Sequence, residues 1–268
     1  IPLADFHSWR QADTAAVARN FVKDGFDLLK PRFDDLSSNQ SAAGLENPKG
    51  LRFVEFPLYN AIFAYLYKIF PRLALEVWGR LTTAFFSLII IAIIYYLVLK
   101  EAGRVAAIFS SLVYGIFPFF VFFSRVILPE TTAVSFSMIS IFFLYRFSNI
   151  KKESLSAFGY WLLAILSFTL SLLIKPTTIF YTLPLIFLFF NKYRLNLLKK
   201  LSFYLFFIFS FLPLILWRLY IQNFPEGIPP SQWLITSVNT SQGLQNIFFK
   251  PAFFRWIFFE RLNNLILG

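Results

Sequence analysis

A succession of long uncharged runs constrains this chain more than any motif does. Residues 81–99 and 105–124 contain no charged side chain, and 126–145 carry only Glu130. Residues 154–174, 176–191 and 201–217 are uncharged again, with Lys175-Pro176 dividing the first two and Arg218 following the last. A membrane-spanning helix needs roughly 17–25 apolar residues. Five runs reach that length and 176–191 falls slightly short. As one helix, 154–191 would be roughly 57 Å long at ~1.5 Å per residue, so a hairpin turning at Lys175-Pro176 is expected. The chain is 57% hydrophobic and only 15% charged, with 38 Phe among 268 residues. A soluble domain could not hide that much apolar surface. The expectation is an all-α, polytopic transmembrane helical bundle. Its six helices occupy 81–217, between an external segment 1–80 and a second external segment 218–268 that leads towards a further span.

The net charge of +11 suggests nucleic acid only until the charges are placed. Lys100 and Arg104 lie in one loop, Arg146, Lys151 and Lys152 in the next but one, and Lys192, Arg194, Lys199 and Lys200 in the third. Those loops hold nine basic residues against Glu101 and Glu153, whereas the opposite turns hold only Arg125 and Lys175. Basic loops stay cytoplasmic. Six spans then put 1–80 and 218–268 together outside, as in an enzyme or receptor working on the external face. Cysteine is absent and there is one His, which excludes disulfides, a thiol nucleophile and a His-rich metal site. The chain starts on Ile1 and stops inside a new apolar run, so a longer protein is expected.

Residues 1–80 hold nine of the fourteen acidic residues. Ser8 and Gln11 fit a capping box, and Asp24-Gly25 supplies a stop, which predicts a helix over about 9–24. Asp13 falls on one stripe of it with Trp9, Val17 and Asn20. Residues 34–50 are Ser/Asn/Gly-rich and read as a loop. Phe53-Val54-Glu55-Phe56-Pro57-Leu58-Tyr59 opens an aromatic amphipathic stretch reaching Phe70, expected to lie at the membrane interface as a helix that Glu55 begins. Asn39-Gln-Ser and Asn239-Thr-Ser match glycosylation sequons, which arise often by chance.

The run His-Ser-Trp-Arg-Gln-Ala-Asp-Thr-Ala-Ala-Val-Ala-Arg-Asn-Phe at 7–21, followed by Gly25 and Pro31-Arg32, resembles the first external loop of GT-C membrane glycosyltransferases. The nearest branches are the protein O-mannosyltransferase-like enzymes and the lipid A aminoarabinose transferases, families 39 and 83. Glu55-Phe-Pro-Leu is similar to the family's Pro-Pro-Leu segment. Gly79-Arg80-Leu81 resembles the start of the next span, and Leu128-Pro129-Glu130 its later acidic motif. Lys175-Pro176 with Pro184 is similar to its Lys-Gly turn followed by Leu-Pro. Two departures stand out. Where relatives often carry an Asp-Glu pair at the start of the first loop helix, this chain has Arg10-Gln11, with Asp13 three residues later. Where they have Lys or His before Pro-Leu, it has Glu55-Phe56.

The resemblance implies transfer of a sugar from a polyprenyl-phosphate lipid to an acceptor hydroxyl at the external face of a membrane, a bacterial inner or cell membrane being expected. Such chemistry needs a carboxylate to take the hydroxyl proton and cations to steady the phosphate leaving group. Asp13 is the expected base, with Glu55 a supporting carboxylate. Lys175, Arg125 and Arg80 are the expected donor-phosphate ligands, and Glu130, Trp9 and Asn20 supporting residues. A structural role stands beside each: Asp13 pairing with Arg10, Glu130 pairing with Arg125 or Lys175, Glu55 solvated at the interface, Arg80 snorkelling. Expected partners are the polyprenyl-phosphate sugar, membrane lipids and an acceptor of unknown class, with no nucleic acid. No cofactor and no metal ligand is assigned, and a divalent metal is left open. The alternatives are a polytopic transporter or lipid flippase, which would carry polar residues in mid-span, and an envelope glycan polymerase or ligase.

Overall fold

The computed structural model of the protein describes residues 7–38, 41–150 and 154–229, with 254–255, 258–259 and 262 beyond them. The sequons at Asn39 and Asn239, the basic pair Lys151 and Lys152, and most of the expected segment 218–268 lie outside the described residues. Among the described residues eight α-helices follow one another: α1 Ser8–Asp24, α2 Leu58–Ile69, α3 Leu75–Ile116, α4 Pro118–Phe123, α5 Glu130–Ser148, α6 Leu155–Ile174, α7 Thr182–Tyr193 and α8 Leu201–Ile221. No strand forms among the described residues; the one β-type bridge joins Arg32 to Leu51.

Among the described residues three helices, α3, α6 and α8, are long and apolar enough to cross a membrane. The chain is an integral membrane protein. The 42 residues of α3 are broken at Gly103, whose φ of 86° and ψ of 177° no helix accommodates. The break falls between Lys100 and Arg104, dividing the first two uncharged runs. Pro118 interrupts the second arm before α4. The α7 run is also composite, a 3₁₀ turn at Pro176–Tyr181 leading into twelve helical residues. Proline at 176 drives Lys175 out of the helical region, to φ −151° and ψ 104°, and this turns the chain between α6 and α7.

The spans pack through small and hydroxylated side chains, as helices do where lipid supplies no hydrophobic contrast. Ser137 and Ser171 share a 2.6 Å hydrogen bond, Ser171 also donates to the carbonyl of Ala133, and Ser140 donates to that of Ala164. These contacts draw α5 and α6 together. Around them Leu144, Trp161, Phe168, Leu172, Phe189 and Phe206 form the core of the α5–α8 bundle.

At the end of the bundle where α3 starts and α6 ends, α1 and α2 form a cap. Ala16, Val17, Ala18 and Phe21 of α1 pack on Tyr59, Phe63 and Ala64 of α2, on Leu75 and on Ile127. The buried Tyr59 hydroxyl reaches the carbonyl of Gly79 and the hydroxyl of Thr83. Gly79 is small for a reason: a Cβ there would lie 2.9 Å from Ile127 Cγ2.

The segment between α1 and α2 is a loop, and it is closely held. Phe33 N–H donates to Gly50 O and Arg52 N–H to Pro31 O. Gly50 sits at φ +60°, and a Cβ on it would stand 2.5 Å from the Phe33 carbonyl oxygen. Further on, Phe53 N–H donates to Gly227 O and Phe56 N–H to Leu173 O. Leu51 and Phe53 pack on Trp217 and Ile221 at the end of α8. Residues 51–56 are thus pinned between the ends of α6 and α8.

Two expectations are corrected. The capping box does not form. His7 is the N-cap, in the left-handed region, and no side chain caps the helix. Gln11 is buried and its Oε1 accepts from the backbone N–H of Ile127; that remote buried donor takes the amide that would otherwise have folded back on its own helix. Nor does Glu55 begin a helix. Pro57 requires an extended residue before it, so α2 starts only at Leu58, leaving Glu55 in the irregular segment ahead.

Candidate functional site

The strongest concentration of charge among the described residues lies where α1, the 51–56 segment, the start of α5 and the end of α6 meet. Lys175 occupies the C-cap of α6 and Glu130 the first turn of α5. Each position suits its sign, because a helix favours a cation at its C-terminus and an anion at its N-terminus. Glu55 is carried between them by the pinned segment. Lys175 Nζ lies 2.5 Å from Glu55 Oε1 and 3.0 Å from Glu130 Oε1. Arg10 Nη2, from the first turns of α1, lies 2.7 and 2.9 Å from the same two oxygens. Two cations and two carboxylates therefore close a ring. The side chains of Lys175 and Glu55 are each only 16% exposed. Pairs this sheltered from water interact more strongly than surface ion pairs. The second oxygen of Glu130, Oε2, is buried and has no hydrogen-bond partner.

Asp13 lies one turn further along α1. It pairs with Arg52 at 2.9 Å, not with Arg10. Burial raises the Asp13 carboxyl above the usual aspartate range; Arg52 opposes this, and the charges of Asp34 and Asp35 add to it. Arg52 also lies over the ring of Phe33, 4.6 Å from its centroid. Its charge is felt by Glu55 as well as by Asp13, so the Asp13–Arg52 pair and the ring form one electrostatic neighbourhood. Arg218, at the end of α8, is within electrostatic reach of Glu55 too.

The loop entering α5 is held by three polar contacts. Thr83 Oγ1 donates to Val126 O at 2.9 Å, Arg80 Nη1 to Arg125 O at 3.0 Å, and Ile127 N–H to Gln11 at 3.1 Å. This loop aims Glu130 into the ring.

The structure brings together Glu55, Glu130 and Lys175, with Asp13 close by through Arg52. Arg80 lies along the 125–129 loop, and Arg125 is exposed. Trp9 is 63% exposed. Asn20 donates to Arg32 O and to Asp34 Oδ1. Sequence reasoning missed Arg10, Arg52 and Arg218. Arg10 left a signal, a cation where relatives carry an acidic pair. Arg52, three residues before Glu55, and Arg218, the residue closing the last uncharged run, left only their positions. Among the described residues, no group of three or more His, Cys, Asp or Glu side chains is placed to hold a metal ion.

A bundle of membrane helices capped by two short helices, with charges gathered under the cap, is the GT-C arrangement. The structure is similar to ArnT from Cupriavidus metallidurans in the apo state, with a TM-score of 0.57 at 16% identity, over 96% of this chain and 47% of that one. It is equally similar to that protein bound to undecaprenyl phosphate, with a TM-score of 0.56 at 16% identity, over 84% of this chain and 39% of that one. At that identity the likeness establishes the fold, and the chain spans less than half the length of ArnT. Residues 54–217 match the dolichyl-phosphate-mannose-protein mannosyltransferase family. The chain belongs to that family. No curated protein sequence matches it.

Proposed function

We propose that the protein is a membrane glycosyltransferase that moves a sugar from a polyprenyl-phosphate lipid to an acceptor hydroxyl, at the external face of a bacterial cell membrane. The observation that carries this reading is the placement of Lys175. It ends an apolar helix long enough to span a membrane and faces the carboxylates of the capping segment. A lipid whose tail lies in the bilayer would present its phosphate at that depth. The family match supports the reaction class. The orientation rests on the charge bias of the loops.

In the reaction proposed, the acceptor oxygen bonds to the anomeric carbon as the bond from that carbon to the phosphate oxygen breaks. The lipid phosphate leaves with the electron pair, and Lys175 stabilises its charge. Arg80 and Arg125 are weaker candidates for the same task. Asp13 takes the acceptor proton. Its burial strengthens it as a base relative to a solvated aspartate, and Arg52 orients it. Glu55 and Glu130 hold Lys175 in place. The charged side chains of the described spans sit at helix ends or at the Gly103 break of α3, and Ser137, Ser140 and Ser171 bond across the α5–α6 contact, an arrangement that favours an interfacial enzyme over a transporter.

The test is transfer from a polyprenyl-phosphate sugar by the full-length protein, with and without Asp13→Asn and Lys175→Gln. Loss of transfer in both, with normal expression, is expected. Normal turnover in both would overturn the assignment.

A further inference from the structure

Arg10 has no role in the reading above, yet it is placed as Lys175 is. Its Nη2 and the Lys175 Nζ contact the same two atoms, Glu55 Oε1 and Glu130 Oε1. The two cationic nitrogens are therefore no further apart than two short hydrogen bonds laid end to end. A phosphate group can engage both at once through its non-bridging oxygens, and guanidinium is well suited to phosphate. The carboxylates now hold the positions such oxygens would take. The ring is neutral as it stands, two positive charges against two negative ones. An arriving phosphate anion must therefore displace one carboxylate from the shared cations.

Of the two, Glu55 is the one whose side chain can turn away, its backbone staying held on either side. Glu130 is fixed at the first turn of α5 by the helix and by the anchored loop before it. Glu55 sits in an irregular segment, and two further cations, Arg52 and Arg218, already feel its charge.

We propose that Arg10 is the second cation of the lipid-phosphate clamp, sharing the phosphate with Lys175, and that Glu55 occupies this clamp until the phosphate displaces it. The proposal rests on the reading of Lys175 as a phosphate ligand and adds two assignments to it. Arg10 becomes a substrate-binding residue, and Glu55 a competitor of the substrate rather than a partner of it.

The test is binding of undecaprenyl phosphate to the full-length protein in detergent, with thermal denaturation as a check of folding. Arg10→Gln should weaken binding by at least about tenfold, the scale of one charge-assisted hydrogen bond. Glu55→Gln should tighten binding severalfold, because the competing charge is gone. The double variant Arg10→Gln with Glu55→Gln leaves no unbalanced carboxylate behind and should still bind weakly. Wild-type affinity in the double variant would mean that Arg10 merely neutralises Glu55, and would overturn the clamp. Weaker binding by Glu55→Gln would overturn the competition. Undiminished binding by Lys175→Gln would sink the parent reading and the shared clamp together. Loss there with wild-type binding by Arg10→Gln would sink the Arg10 assignment alone.

Discussion

Lys175 Nζ meets Glu55 Oε1 at 2.5 Å across 120 residues of sequence. The contact joins the end of a membrane helix to the segment that caps the bundle. It also leaves the lysine ammonium with two carboxylates and little water. Lys175→Gln should lower affinity for a lipid phosphate by about tenfold or more while the protein still folds. Equilibrium binding of undecaprenyl phosphate would measure it. Unchanged affinity would return Lys175 to a structural role.

Asp13→Asn should reduce transfer by roughly 10²–10⁴-fold, the usual worth of a positioned general base, and should spare lipid-phosphate binding. Glu55→Gln should reduce it less. Near-normal turnover by Asp13→Asn beside a dead Glu55→Gln would reverse the two roles. The pH profile adds a second check. The Asp13 carboxyl is raised by burial, and a base must be deprotonated to act. Activity is therefore full above the raised value and falls as pH drops through it, at a higher pH than an ordinary aspartate would give. The linked stability runs the other way: the folded state holds this proton more tightly than the unfolded one. The cost of burying the ionised carboxylate is thus absent below the ordinary aspartate range. It develops as pH rises and is complete above the raised folded value.

Gly50→Ala and Gly44→Ala separate two kinds of backbone demand. Both glycines have positive φ, +60° and +67°, but only Gly50 has a neighbour that a Cβ would strike, the Phe33 carbonyl oxygen. Gly44→Ala should cost about 1 kcal/mol. Gly50→Ala should cost clearly more, and should also impair transfer by shifting Arg52. Thermal denaturation of both variants is the comparison, and equal losses would refute the steric account.

Gln11→Ala removes the acceptor of the buried Ile127 N–H. An orphaned buried donor costs about 1–3 kcal/mol. Because that contact steadies the loop leading to Glu130, transfer should fall along with the melting temperature. Gln11→Glu keeps an acceptor at the same reach but buries a carboxylate in a fully enclosed site, and should recover neither.

Reporter fusions at Asn149 and Asn196 should behave as cytoplasmic and one at Leu45 as external. A cytoplasmic signal at Leu45 would place the ring on the wrong side for an external lipid donor and overturn the proposed function.

The helices were legible because their causes are local. A membrane requires an uninterrupted apolar run with every backbone polar group bonded within it, and such runs are visible residue by residue. Pro176 likewise announces its turn through its own backbone limits. The candidate site was legible only in part. Glu55, Glu130 and Lys175 stand out as charges at the margins of apolar segments. Which charge meets which was not visible. Spacing along α1 suggested that Asp13 pairs with Arg10, since residues three apart on a helix are neighbours. In the structure Asp13 takes Arg52, 39 residues away, and Arg10 takes Glu55, 45 residues away. The same holds for Gln11, whose amide serves a backbone N–H 116 residues distant instead of its own helix end. Sequence determined that this chain builds membrane helices and how their loops divide the charge. Tertiary structure alone decided the ion pairs, because partly buried charges take the partners that packing brings to them out of reach of water, and that choice depends on how α1, α5, α6 and the 51–56 segment converge.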